Sequence, residues 1–187
     1  MRKKLQLIVF IMLFFVMGCN NKQHNNNTSE SEEVTSDDST PWGYRNVMKA
    51  SDYDFIVSAI NGENTTIKIR TVGLKEEYKE SFPIEGQVKD SFMADLNNDS
   101  LEEFYLVISP TDDSGNLQLL GFAINDSENI SMIAIDVLKE NRDMNTDSIE
   151  LKNNKLFRHY QVNGITKNYQ YELFSRKTGY LLKPIEQ

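Results

Sequence analysis

One cysteine and two histidines are all the thiol and imidazole groups that this 187-residue chain holds. The cysteine is Cys19, so no disulfide can close within the chain, although an export route would permit one. Beyond residue 40 the sole histidine is His159, inside the strand-like "KLFRHYQV", where it shares a face with Phe157 and Gln161. Zinc sites and Cys/His or Ser/His/Asp catalysis therefore lack their parts. A glycosidase needs two acids facing each other across a cleft, and acids here are so numerous that pairs arise without meaning. The expectation is a protein that is not an enzyme. Positive charge is also short, with 20 Lys and Arg against 28 Asp and Glu and a net charge of −8. That balance argues against nucleic acid and against a basic membrane-hugging surface. It suits a cationic partner, or simply a well-solvated surface.

Long apolar runs are missing too. The one candidate, Leu5 to Met17, is too short to span a bilayer comfortably. It follows Arg2, Lys3 and Lys4 and precedes Gly18-Cys19, the pattern of a secretory signal. The ending "VMGC" resembles a bacterial lipobox, which implies that Cys19 is acylated and becomes the first mature residue. Acyl chains contribute about 0.8 kcal/mol per buried methylene, so several make an essentially permanent bilayer anchor. Loss of residues 1–18 removes three cations and no acid, taking the net charge from −8 to −11. Asn20, in place of the aspartate that often retains lipoproteins at the inner membrane, favours the outer membrane or cell surface.

Between residues 20 and 40 the only apolar side chain is Val34. Such a segment cannot bury enough surface to offset the entropy of ordering. It is expected to be a disordered tether with a reach of roughly 25 Å. The expected organisation is thus a signal over 1–18, a lipidated tether over 19–40, and one domain over 41–187.

Within that domain the apolar residues alternate. Strands are expected over Tyr53–Ile60, "TTIKIRTV", Leu117–Ile124, Ile130–Leu138, Lys155–Val162, Lys167–Phe174 and Gly179–Leu182. Turn signals stand between them at Asn61-Gly62, Asn97-Asn98-Asp99, Ser114-Gly115, Asn153-Asn154 and Asn163-Gly164. Helix is expected only briefly, over Glu76–Ser81 and Lys139–Asp143. The class is all-β: an antiparallel β-sandwich or open barrel.

The densest chemistry lies in "DLNNDSLEE", directly before the apolar run Phe104 to Ile108. Asp95, Asn97 and Asp99 occupy positions one, three and five of a calcium-type loop, with the Leu101 carbonyl at seven and Glu103 at nine. Ca2+ is therefore the candidate cofactor. Position six is Ser100 where a glycine usually makes the sharp turn, and position twelve is Leu106 rather than a bidentate acid. The alternative is a polar turn in which Asp95 and Asn97 cap backbone amides.

Four segments, "ADLNNDSLEEFYLVIS", "DDSGNLQLLGFAIN", "NKLFRHYQV" and "NYQYELF", follow in the order and spacing of one family. From Val88 to Leu182 the chain resembles the periplasmic inhibitors of I-type (invertebrate) lysozymes. The resemblance implies an all-β, sandwich-like domain, often a homodimer, that plugs a lysozyme active site with a Ser-Gly-x-Tyr loop. The matching residues are Ser114, Gly115, Asn116 and Leu117, with leucine in place of the tyrosine. Asp112 and Asp113 precede them and would complement a basic lysozyme surface. Read without the family, Ser114-Gly115 is a hairpin turn. Two functions follow as expectations. One is a lipid-anchored binding protein that inhibits a lysozyme-like hydrolase through residues 110–117. The other is a calcium-stabilised surface lipoprotein that binds glycan or another envelope protein.

Overall fold

A computed structural model describes residues 43–60, 65–111, 115–125, 129–138 and 145–187. The signal, Cys19, the tether, Asn61-Gly62, Asp112 to Ser114 and the helix expected over Lys139–Asp143 lie outside these residues. The described chain is all-β, in three sheets.

The first sheet is the meander β1 (Tyr44–Lys49), β2 (Asp54–Ile60), β3 (Thr65–Val72) and β4 (Lys79–Ile84). The second is β5 (Gln87–Ala94), β6 (Glu103–Ser109), β7 (Gln118–Asn125) and β8 (Asn129–Met132). The third runs β10 (Asn145–Lys152), β11 (Lys155–Val162), β12 (Ile165–Ser175) and β13 (Tyr180–Glu186), with β9 (Ala134–Ile135) added parallel to β13. All other strand pairs are antiparallel.

The second sheet lies between the other two, and β6 shows why. A strand buried on one face alternates, whereas one buried on both is apolar throughout. Phe104, Leu106 and Ile108 enter a core shared with Phe55, Val57, Ile67 and Ile69 of the first sheet. Tyr105 and Val107 enter a separate core with Leu156, Tyr171 and Leu182 of the third. Phe104 stacks on Phe55 with ring centroids 4.6 Å apart. On the opposite face Tyr105 lies over Gly121, where an added Cβ would come within 3.1 Å of its ring. The all-β class expected as a sandwich or open barrel is thus built from three sheets with two cores.

Two expected elements differ. The long strand over Ile130–Leu138 is broken at Ile133, whose buried side chain marks the point where the chain leaves β7 and β8 to join β13. The helix expected over Glu76–Ser81 does not form, because Lys79 and Glu80 pair with Arg70 and Ile69 as the start of β4. Pairing with a sheet edge outweighs weak local helix propensity. The Asn-rich turns fall where expected. Asn153, Asn154 and Asn163 have φ of 51°, 56° and 51°, and Gly164 follows at 76°. These left-handed values suit tight hairpins.

Gly86 carries the chain from the first sheet to the second at φ 118°, and a Cβ there would lie 2.3 Å from the Ser109 carbonyl oxygen.

Candidate functional site: an acidic loop held by all three sheets

The loop from Asp95 to Glu102 joins β5 to β6 at one end of the middle sheet. Both outer sheets grip it. From the first, the Tyr53 hydroxyl donates to the Glu102 carbonyl at 3.1 Å. Burial, opposed by that bond, pushes the Tyr53 phenol up to about 12. From the third, the Asn154 amide binds Asp95 twice. Its Nδ2 donates to the Asp95 carbonyl at 2.6 Å, and its Oδ1 accepts the Asp95 N–H at 3.2 Å.

Inside the loop the side chains fold back on the main chain. Asp95 accepts the N–H groups of Asp99 and Ser100 at 3.1 and 3.0 Å. Asn97 Oδ1 also accepts from Asp99 N–H, at 2.9 Å, and Asp99 Oδ1 accepts from Leu101 N–H at 2.8 Å. These are the amide caps of the turn reading. They do not exhaust the carboxylates, since each oxygen has two lone pairs. Carboxylate oxygens of Asp95, Asp99 and Glu103 all lie within 4.8 Å of one another. A hard divalent cation takes oxygens gathered in this way. Three of the five loop positions expected from the sequence converge as side chains. Asn97 Nδ2 instead donates to Asp99 Oδ2 at 2.8 Å, and Leu101 lies at the end of the turn.

Glu103 differs from the other two. It is 2% exposed, and its Oε2 accepts the Leu96 N–H at 2.8 Å. Burial pushes its carboxyl up to about 8; Asp99 and Asp95 add to the rise, and the Leu96 amide opposes it. A group that holds its proton more tightly when folded than at the usual 4.5 stabilises the fold at low pH. That contribution is lost as pH rises towards about 8. In chelator, the melting temperature should therefore fall between pH ~5 and ~8, and Glu103→Gln should flatten the fall. Melts at several pH values check this.

Ser100, the residue at the glycine position, has φ 71°, and Asn98 has 59°. The sharp turn is therefore made, by Asn98, which tolerates this region, and by Ser100, which is strained there. Ser100→Gly should relieve about 1 kcal/mol, raising the melting temperature by roughly 2–4 °C. Differential scanning calorimetry reads the shift.

Beside the loop lies a cleft of about 380 Å³. Asn97, Asn98, Asn153, Gln170, Glu172 and Phe174 line it among others. Phe174 is 41% exposed. Lys183 Nζ lies over its ring, 5.4 Å from the centroid. Amides, a carboxylate and a part-exposed aromatic ring are groups that can hydrogen-bond hydroxyls and pack against an apolar ring face.

The loop expected to meet a partner is described only from Gly115. Gly115 is exposed, with φ 69°, and Asn116 is half-buried. Leu117 points inward, 6% exposed, in the core between the second and third sheets. Its main chain is held at both polar atoms. Asp147 Oδ2 accepts the Leu117 N–H at 2.7 Å, and Arg158 Nη2 donates to the Leu117 carbonyl at 2.8 Å. Arg158 and Asp147 also pair directly, through Nε to Oδ1 at 2.9 Å and Nη2 to Oδ2 at 2.5 Å. Arg158 Nη1 reaches the Tyr171 hydroxyl at 3.4 Å.

This clamp was not anticipated from the sequence, though its signal was present. In "KLFRHYQV" Arg158 is in phase with Leu156 and Tyr160, so it had to point inward. Asp147 is aimed by an irregularity in β10, where the register with β11 shifts and Thr146 takes φ 53°. His159, on the opposite face, stacks on Phe157 and contacts Asn168 Oδ1 at 2.7 Å and Glu150 Oε1 at 3.3 Å.

No protein-family model matches the chain, and no curated protein matches it in sequence. Fold and site define an all-β protein with a carboxylate-rich loop beside a polar cleft.

Proposed function

We propose that this is a non-enzymatic, calcium-stabilised binding protein of the cell envelope, held to a membrane by acylated Cys19. Its ligand site is the cleft beside the 95–103 loop, and its ligand class is glycan. The observation that carries this reading is the convergence of Asp95, Asp99 and Glu103 within 4.8 Å at the rim of an amide-lined cleft. Calcium there would neutralise the crowded carboxylates and fix Asn97 and Asn98 against the cleft. Glycan-array binding with and without calcium tests the ligand class. Calcium-dependent retention of an envelope glycan, weakened by Phe174→Ala, is expected; no retention under either condition overturns the reading.

A lysozyme-like hydrolase is the second candidate partner. It is favoured by the Arg158–Asp147 clamp, which fixes the base of the loop that ends at Leu117 and so lowers the ordering cost of binding. Lytic assays with I-type, chicken-type and goose-type lysozymes test it, and no inhibition at micromolar protein would remove it.

A further inference from the structure

The whole-chain acidity conceals one basic face. Strand register fixes which side chains of the first sheet point away from the middle sheet. Ile56 faces Arg70, Ser58 faces Lys68, Val47 faces Ile56, and Lys68 and Arg70 face Ser81 and Lys79. The partners of the opposite phase, Phe55, Val57, Ile67 and Ile69, fill the core. The outward face therefore carries Arg45, Lys49, Lys68, Arg70 and Lys79, drawn from three strands. Acids are fewer on it than cations: Asp54 sits opposite Lys49 at one end, Glu77 reaches in from the β3–β4 connection to pair with Arg70, and Glu80 lines the central depression beside Lys68, Arg70 and Lys79.

Aliphatic side chains lie among the cations. Val47 and Val72 are 37% and 38% exposed, and Ile56 is half-buried in a shallow depression of about 500 Å³ walled by Lys68, Arg70 and Lys79. Four strands at about 4.8 Å spacing make a platform roughly 15 Å wide.

We propose that this face docks on an anionic phospholipid bilayer. Two features favour a bilayer over a small anion or a folded partner. The platform is a broad sheet face rather than a closed pocket, so its charges meet many headgroups at once. Its exposed valines stand among the cations and can enter the headgroup region while the ammonium and guanidinium groups bind phosphate. The remaining surface is acidic and is repelled by the same headgroups. The charge asymmetry therefore sets an orientation as well as an affinity. An acyl anchor at Cys19 would raise the local concentration of this face at the bilayer. The docking itself does not depend on the anchor or on bound calcium.

The test uses the mature chain from residue 19 with Cys19→Ser, so that no acyl chain contributes, in chelator. Co-sedimentation is measured with vesicles of phosphatidylcholine alone and with phosphatidylglycerol added. Binding only to the anionic vesicles, and falling steeply with salt, is expected. Each cation contributes about fivefold in partitioning, so the triple reversal Arg45→Glu, Lys68→Glu and Lys79→Glu should lower it by roughly a hundredfold or more. Lys177→Glu, on the β12–β13 turn, should change it no more than about fivefold. Retained circular dichroism in the triple variant shows that it still folds. Equal binding to neutral vesicles, or binding untouched by the reversal, overturns the proposal. So does binding to soluble polyphosphate with none to vesicles, or binding that appears only after residues 20–40, with their acidic run, are deleted.

Discussion

Phe104→Ala should cost about 3–5 kcal/mol, enough to unfold much of a marginally stable domain. Phe104 is fully buried, stacks on Phe55 of the first sheet, and lies 5.8 Å from the Phe122 ring on the adjacent strand. Truncation loses its transfer free energy and leaves a cavity between two sheets that cannot easily close. Its neighbour offers the contrast. Tyr105 points to the other face, and its buried hydroxyl has no hydrogen-bond partner among the described residues, while burial raises its pKa far above the usual value. Tyr105→Phe removes an unsatisfied group at little cost in shape, so it should be neutral or stabilising by about 1 kcal/mol. Urea unfolding of the two variants reads both. Similar losses at both positions would contradict a strand with two differently occupied faces.

Asp147→Ala should destabilise by a comparable amount, about 3–5 kcal/mol, because it strands a buried guanidinium. The Asp147 side chain is fully buried and that of Arg158 is 6% exposed, so water cannot replace the lost partner. The Leu117 N–H loses its acceptor as well. Asp147→Leu combined with Arg158→Met should recover part of the loss, since an apolar pair avoids the desolvation of two charges. Recovery should be incomplete, because Leu117 would still lack partners for both main-chain atoms. Thermal melts of the single and double variants separate the two contributions. A single variant within about 1 kcal/mol of the parent would show that the pair is not the anchor of this loop.

Much of the architecture could be read from residues 41 onward. Alternation in "TTIKIRTV" and the Asn-Asn and Asn-Gly turns placed β3, the β11–β12 hairpin and the turn before β11 within a residue or two, whereas β10 itself was not expected. The third layer was encoded less openly. Phe104 to Ile108 reads as a buried strand, but periodicity alone cannot say that its two faces belong to different cores. The break at Ile133 was hidden for a similar reason, since both halves of Ile130–Leu138 are strand-like and only pairing with β13 separates them.

At the site, spacing located the acidic loop and its convergent carboxylates. It could not show that Asn154, some sixty residues on, would clasp Asp95, because that contact depends on how the third sheet packs on the second. Leu117 illustrates the limit of motif matching. Its sequence position lies in the loop expected to meet a partner, but its side chain belongs to the core. Net charge misled in the same way. A total of −8 averages over a sheet face with five cations, and register reveals what composition blurs.

The most direct measurement is calorimetric titration of Ca2+ into chelator-stripped protein, with thermal melts on the same samples. The account predicts one saturating site per chain and a higher melting temperature with calcium. Both effects should be lost in an Asp95→Ala variant that keeps its β-sheet circular dichroism. No binding heat up to millimolar calcium, together with identical melting temperatures in calcium and in chelator, would contradict it.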